Sequence, residues 1–179
     1  MAFQVSCWLH LNWKPPPCGY WGNPGEIAAR QCRCAFRQIE NYRQRISGPL
    51  LDRIDIHCEV PMVGFHELSS NTNIGESSET IRHRVLAARE IQLERFRKSS
   101  NSTNSSMGSR QVRQHCKLTP EATGYLEHAM EEMSFSARAH DRILKVARTL
   151  ADLAGAPDIR PNDILEAIQY RSLDRKLLY

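Results

Sequence analysis

The chain has 179 residues, enough for one ordinary domain or one and a half small ones, with 41% hydrophobic and 25% charged residues. The net charge of +4 is too small to argue for nucleic acid by itself. No apolar run approaches the roughly 18 residues that a membrane-spanning helix needs. The opening MAFQVSCWLHLNW has neither a basic start nor a small-residue cleavage site, so no secretory leader is expected. Six cysteines without a leader point to a reducing compartment, with thiols free or metal-bound, and the expected location is the cytoplasm. The glycosylation-type matches at Asn101 and Asn104 are then chance matches in a Ser/Asn tract.

Residues 1–35 are dense in proline, glycine and tryptophan (WKPPPCGYWGNPG) and read as loop. Phe36 to Ile46 carries Ile39, Tyr42 and Ile46 at helical spacing, a short helix ending near Gly48. Across this region the basic excess is local: Arg30, Arg33, Arg37, Arg43, Arg45 and Arg53 face only Glu40 and Asp52. Such a stretch is either a solvated basic face or an anion-facing surface. The segment RISGPLLDRIDIHCEVP follows. Ile54, Ile56, Cys58 and Val60 alternate with Asp55, His57 and Glu59, which predicts a half-buried strand ended by Pro61. Arg53 stands at its mouth, either paired with a nearby carboxylate or reaching for a partner.

From Ser77 onward the pattern is helical. Ser77 or Ser78 caps a helix with Glu79 in its first turn, and Ile81, Val85, Ala88 and Phe96 share a face that Gln92 interrupts. SSNSTNSS, residues 99–106, has nothing to bury and reads as a flexible loop. Thr119-Pro120-Glu121 is a helix start, followed by Ala122, Leu126, Ala129 and Met133. Ser136 opens the next helix, with Ile143, Ala147, Leu150 and Ala154 on one face and Gly155 as the stop. Pro161 begins a last helix through Ile164, Leu165 and Ile168. The pattern predicts a mainly α chain whose residues 77–175 form an all-helical bundle.

GPLLDRIDIHCEVP, ESSETIRHRVLAAREIQLERF and SFSARAHDRILKVARTLADLAG, with IRPNDILEAIQYRSLDR, together resemble the C-terminal part of the magnesium-chelatase-like AAA+ ATPases of the ComM/YifB competence type. The likeness runs from about Pro17 to Arg175. It implies a mainly α fold in which residues 1–61 are a remnant of the α/β nucleotide-binding core, 62–76 a linker, and 77–179 the C-terminal helical bundle that forms the lid. No G-x-x-x-x-G-K-[ST] loop occurs, and no apolar strand ends in Asp-Glu. The chain is therefore expected to be a fragment or one part of a split protein. ATP and magnesium would belong only to the intact enzyme, and the chain alone would not hydrolyse ATP.

The resemblance assigns roles residue by residue. Arg53, in the family's L-L-x-R-[FI]-D segment, is the arginine-finger candidate that reaches a neighbour's nucleotide, with Arg43 and Arg45 as runners-up. The alternative for Arg53 is a local ion pair with Asp52 or Asp55. Arg138, with Arg142 as a second contact, matches the sensor-2 arginines of S-A-R-A-x-D-R and would face an ATP phosphate at a helix start. Their alternative is a solvated helix surface. Cys18, Cys32 and Cys34 match three of four zinc thiolates, with a proline at the remaining position, so Cys7 or His10 would have to complete a tetrahedral site. Asn12 lies nearest the expected sensor-1 asparagine. The expected partners are a homo-oligomeric ring or an upstream core half, and DNA, with no membrane. The whole enzyme would be a DNA-remodelling motor of recombination or transformation. A non-catalytic helical module that binds a partner or nucleic acid through the arginine-rich segment is the alternative.

Overall fold

The computed structural model describes residues 35, 37–38, 41, 54–57, 75–99, 102–133 and 135–171. The chain divides into two compact units, Met1–Ile46 and Ser47–Tyr179. In the first, Arg37, Gln38 and Asn41 are helical and exposed, and the Ala35 amide donates to Gln38 Oε1 at 3.0 Å. The remainder of the loop and helix expected over residues 1–46 lies outside the described residues.

The described residues of the second unit form five helices: α1 (Ser78–Arg95), α2 (Ser109–His115), α3 (Pro120–Glu132), α4 (Ala137–Leu153) and α5 (Pro161–Gln169). A 3-10 turn at Asn104–Ser106 joins α1 to α2. Local chemistry starts and stops them. Side-chain oxygens of Ser77, Thr119 and Ser136 accept from the amides of Thr80, Ala122 and Ala139, satisfying donors that a helix start leaves unpaired. Pro120 and Pro161 occupy first-turn positions where the missing N–H costs nothing. At the start of α5 the Asp163 carboxylate accepts from the Arg160 amide at 2.9 Å. Gly155, at φ 66°, takes the left-handed conformation that ends α4.

Helix α4 is the axis of the bundle. Ile143, Ala147 and Ala151 are wholly buried along one stripe, and α1, α2, the 3-10 turn and α5 all pack on it. Helix α3 lies on α5 and contributes Ala122, Leu126 and Ala129 to the same core. Between α2 and α3, Leu118 pairs with Ile159 in a short parallel bridge: Thr119 donates to the Ile159 carbonyl, and Ile159 to Lys117. The bridge sets the starts of α3 and α5 side by side.

Four expectations change. The tract 99–106 is not an idle loop: Asn104 is 1% exposed and opens the 3-10 turn, because buried charges need its amide. Helix α2 follows it, a short element that the sequence pattern did not announce. On α1 only the C-terminal half is buried. Ala88, Gln92 and Phe96 face the core, whereas Ile81 and Val85 stay exposed, since no described element packs on the first turns. Leu165 of α5 is likewise exposed beside buried Ile164 and Ile168.

The fourth change concerns the expected strand. Residues 54–57 have no strand conformation; Cys58 to Val60 lie outside the described residues. Ile56 is 48% exposed and His57 is buried, the reverse of the alternation read from sequence. The backbone of the segment bonds to the helical unit instead. His57 N–H donates to the Tyr170 carbonyl at 2.7 Å, and Arg171 Nη1 donates to the Ile54 carbonyl at 2.8 Å.

Candidate functional site at the start of helix α4

The first turns of α4 carry Arg138, His140, Asp141 and Arg142, four polar groups distributed round the helix within five residues. Their fates differ. Asp141 accepts from Ser109 Oγ of α2 at 3.0 Å and lies 3.3 Å from His140 Nδ1. Arg142 pairs through Nη1 with Asp55 Oδ1, a carboxylate 87 residues earlier, both side chains remaining partly exposed. Arg138 stands one turn before Arg142, exposed, with no hydrogen bond or carboxylate partner among the described residues. A guanidinium offers five N–H donors in a planar fork that suits phosphate or carboxylate. Arg138 thus presents an uncommitted cation at a helix start, while Arg142 is engaged with the polar end of the Leu50–Asp55 segment.

A cleft of about 300 Å³ lies between α3 and the start of α4, lined by Leu118, Thr123, Leu126, Glu127, Met130, Glu131 and His140. Its walls are largely apolar, and the acids among its described lining residues, Glu127 and Glu131, would repel an anion. A phosphate has no place there.

Beneath α4 is a buried polar cluster that sequence reasoning missed. Asp152, fully buried, accepts from Arg95 Nη1 and Nη2 at 2.6 and 2.5 Å, from Asn104 Nδ2 at 2.8 Å, and from Arg148 Nε at 3.0 Å. Arg148 also donates to the carbonyls of Pro157 and Ala156, both at 2.6 Å, and so closes the turn after α4. Burial pushes the Asp152 carboxyl up, but hydrogen bonds from Arg95 and Asn104 and the charges of Arg148 and Arg95 outweigh it and hold the carboxyl below its ordinary value. One local signal existed: Arg148 and Asp152 stand four apart on the face that carries Ala147 and Ala151. With every oxygen of the carboxylate saturated, the cluster binds the bundle together and offers nothing to a ligand. Cys116 lies close by, and burial pushes its thiol up to about 11 despite the nearby arginines.

Arg53, the finger candidate, lies outside the described residues, as do Arg43, Arg45 and Asn12. So do Cys18, Cys32 and Cys34, with Cys7 and His10. Among the described residues no group of three or more His, Cys, Asp or Glu could hold a metal ion. No helix there is long and apolar enough to cross a membrane.

The structure thus presents a helical unit with a basic first turn on its central helix, to which residues 54–57 are tied. Residues 75–171 match the family model described as magnesium chelatase, subunit ChlI C-terminal, and residues 1–68 match that of magnesium chelatase, subunit ChlI. The chain belongs to this family. It is 40% identical over 167 residues to the uncharacterized protein YifB of Escherichia coli, covering 93% of this chain and 31% of that protein. It is 37% identical over 177 residues to the competence protein ComM of Haemophilus influenzae, covering 99% of this chain and 33% of that one. An uncharacterized protein of Mycobacterium bovis is 32% identical over 172 residues. The chain spans about a third of the length of the curated relatives it matches.

Proposed function

We propose that this chain is the lid-and-finger portion of a ComM/YifB-like AAA+ ATPase, the lid spanning residues 77–179 and residues 1–61 ending the nucleotide-binding core. In this reading Arg138 contacts a phosphate of bound ATP as sensor-2, and Arg53 reaches the nucleotide held by the next subunit of a ring. The upstream core would bring the phosphate loop and the magnesium carboxylates, which supply most of the electrostatics of phosphoryl transfer. By analogy with the competence protein among its relatives, the assembled cytoplasmic motor would act on DNA in transformation or recombination.

The observation that carries the reading is Arg138, an arginine in the first turn of α4 that is exposed and uncommitted among the described residues. Arg142 serves the nucleotide less well, because its guanidinium is already occupied by Asp55. The test is a chimera in which this chain replaces the matching third of the Haemophilus influenzae relative. Arg138→Ala should raise KM for ATP by about tenfold or more, the loss of one charge-assisted contact of roughly 1.5–3 kcal/mol. Arg53→Ala should leave ATP binding nearly intact and lower kcat by as much as about 10³-fold, since a finger acts on transition-state charge. Activity should return when that variant is mixed with a subunit that keeps Arg53 but has a dead phosphate loop. A chimera indifferent to both substitutions would refute the reading.

A further inference from the structure

Three tethers converge on the four described residues that follow Arg53. Arg142 of α4 pairs with the Asp55 carboxylate. Arg171, 1% exposed just beyond α5, donates to the Ile54 carbonyl at 2.8 Å. The Tyr170 carbonyl accepts from the His57 amide at 2.7 Å. The tethers come from two helices, and they hold a backbone carbonyl, a side chain and a backbone amide of one short segment. The described residues of the segment make no strand pairing, and Ile56 stays 48% exposed while Ile54 is half-buried. Polar contacts with the ends of α4 and α5 therefore contribute to setting its position.

From this geometry we infer that Arg142 is a positioning residue rather than a phosphate contact: with Arg171 and Tyr170 it clamps residues 54–57 to the lid and so fixes the stem that directly follows Arg53 in the chain. The inference rests on the reading of Arg53 as the finger, and it names what aims it. The physical case is one of entropy. A long arginine contributes to a rate only if its backbone is already placed, because ordering it during the reaction costs freedom that the transition state must then supply. Residue 54 is the first after Arg53, so a tether on its carbonyl and another on the next side chain act at the shortest possible lever. Arg142 and Arg138 then divide the labour of one helix face, the first holding the stem and the second left for an anion.

Two measurements test the clamp. In the 179-residue chain, amide hydrogen exchange over residues 54–57 should accelerate about tenfold or more in Arg142→Ala, because local opening needs to break one tether fewer. Exchange in α3 should be unchanged, and the reversed pair Asp55→Arg with Arg142→Asp should restore protection. Unchanged exchange over residues 54–57 in Arg142→Ala overturns the proposal. In the chimera, Arg142→Ala should lower kcat with KM for ATP unaltered, and the reversed pair should recover kcat. A raised KM with kcat intact and no rescue by the reversed pair makes Arg142 a phosphate contact, which overturns the clamp and leaves the finger standing. If Arg53→Ala instead proves to have normal kcat, the finger reading fails, and the exchange measurement still decides whether the clamp exists.

Discussion

Replacing Asp152 by alanine is the sharpest test of what holds the helical unit together. The wild-type carboxylate is wholly buried and answers two guanidiniums, Arg148 with 2% of its side chain exposed and Arg95 with 13%. Removing it leaves Arg148 with its carbonyl partners at Ala156 and Pro157 but no counter-charge, and deprives Arg95 of both of its bonds to Asp152. Breaking a buried pair from one side costs about 3–5 kcal/mol, because the remaining charge is stranded. That is a large part of the roughly 5–15 kcal/mol by which a domain is stable. The melting temperature should fall by at least about 12 °C, at about 4 °C or more per kcal/mol for a unit of this size. Urea and thermal unfolding of the chain, followed by far-ultraviolet circular dichroism, measure both quantities. The double variant Asp152→Leu with Arg148→Met should be less destabilised than Asp152→Ala, since apolar side chains of similar size strand no charge and Arg95 can reach solvent. The sign of the pH dependence follows from the lowered carboxyl. The folded value lies below the unfolded one, so the stabilisation is complete above about pH 4 and is lost as pH falls through the folded value. In Asp152→Ala that part of the acid limb should vanish. A loss under about 1 kcal/mol, the range of an exposed pair, would refute the reasoning.

The chain alone should show no ATPase activity and no measurable nucleotide affinity, since its sequence holds no phosphate loop; turnover above background in a clean preparation would contradict this. Cys116, its thiol pushed up to about 11, should alkylate in the folded chain at neutral pH at least about a hundredfold more slowly than after unfolding. Mass spectrometry of the Cys116 peptide reads the ratio, and equal rates would show the thiol to be accessible. Gly155→Ala should cost about 1–2 kcal/mol from backbone strain at φ 66°, because a Cβ there meets no atom within 4 Å. A chemical denaturation midpoint unchanged by the substitution would mean that α4 can end another way.

What the sequence determined by itself is local or collective. The starts at Ser77, Thr119-Pro120, Ser136 and Pro161 and the stop at Gly155 were legible because each is settled within about a turn, where a side-chain oxygen, a missing N–H or a missing Cβ meets its own backbone. Ile143 and Ala147 of α4 and the apolar positions of α3 followed from helical spacing, although Ala151 continues the buried stripe where Ala154, expected on that face, is exposed, and the wording of long segments carried the family. The tertiary structure decided what depends on partners distant in sequence. Asn104 looked like one more polar loop residue until it met Asp152, 48 residues on. Arg142 carried no local sign of a carboxylate partner, and the fold pairs it with Asp55, 87 residues before it. Ile81 and Val85 had the right spacing for a buried face and stay exposed, and residues 54–57 meet no strand among the described residues. Periodicity states which side chains could share a face. Whether that face is covered, and which charge a carboxylate answers, is fixed only when the packed helices bring distant groups within hydrogen-bond reach, since burial and Coulomb energy depend on distance in space and not along the chain.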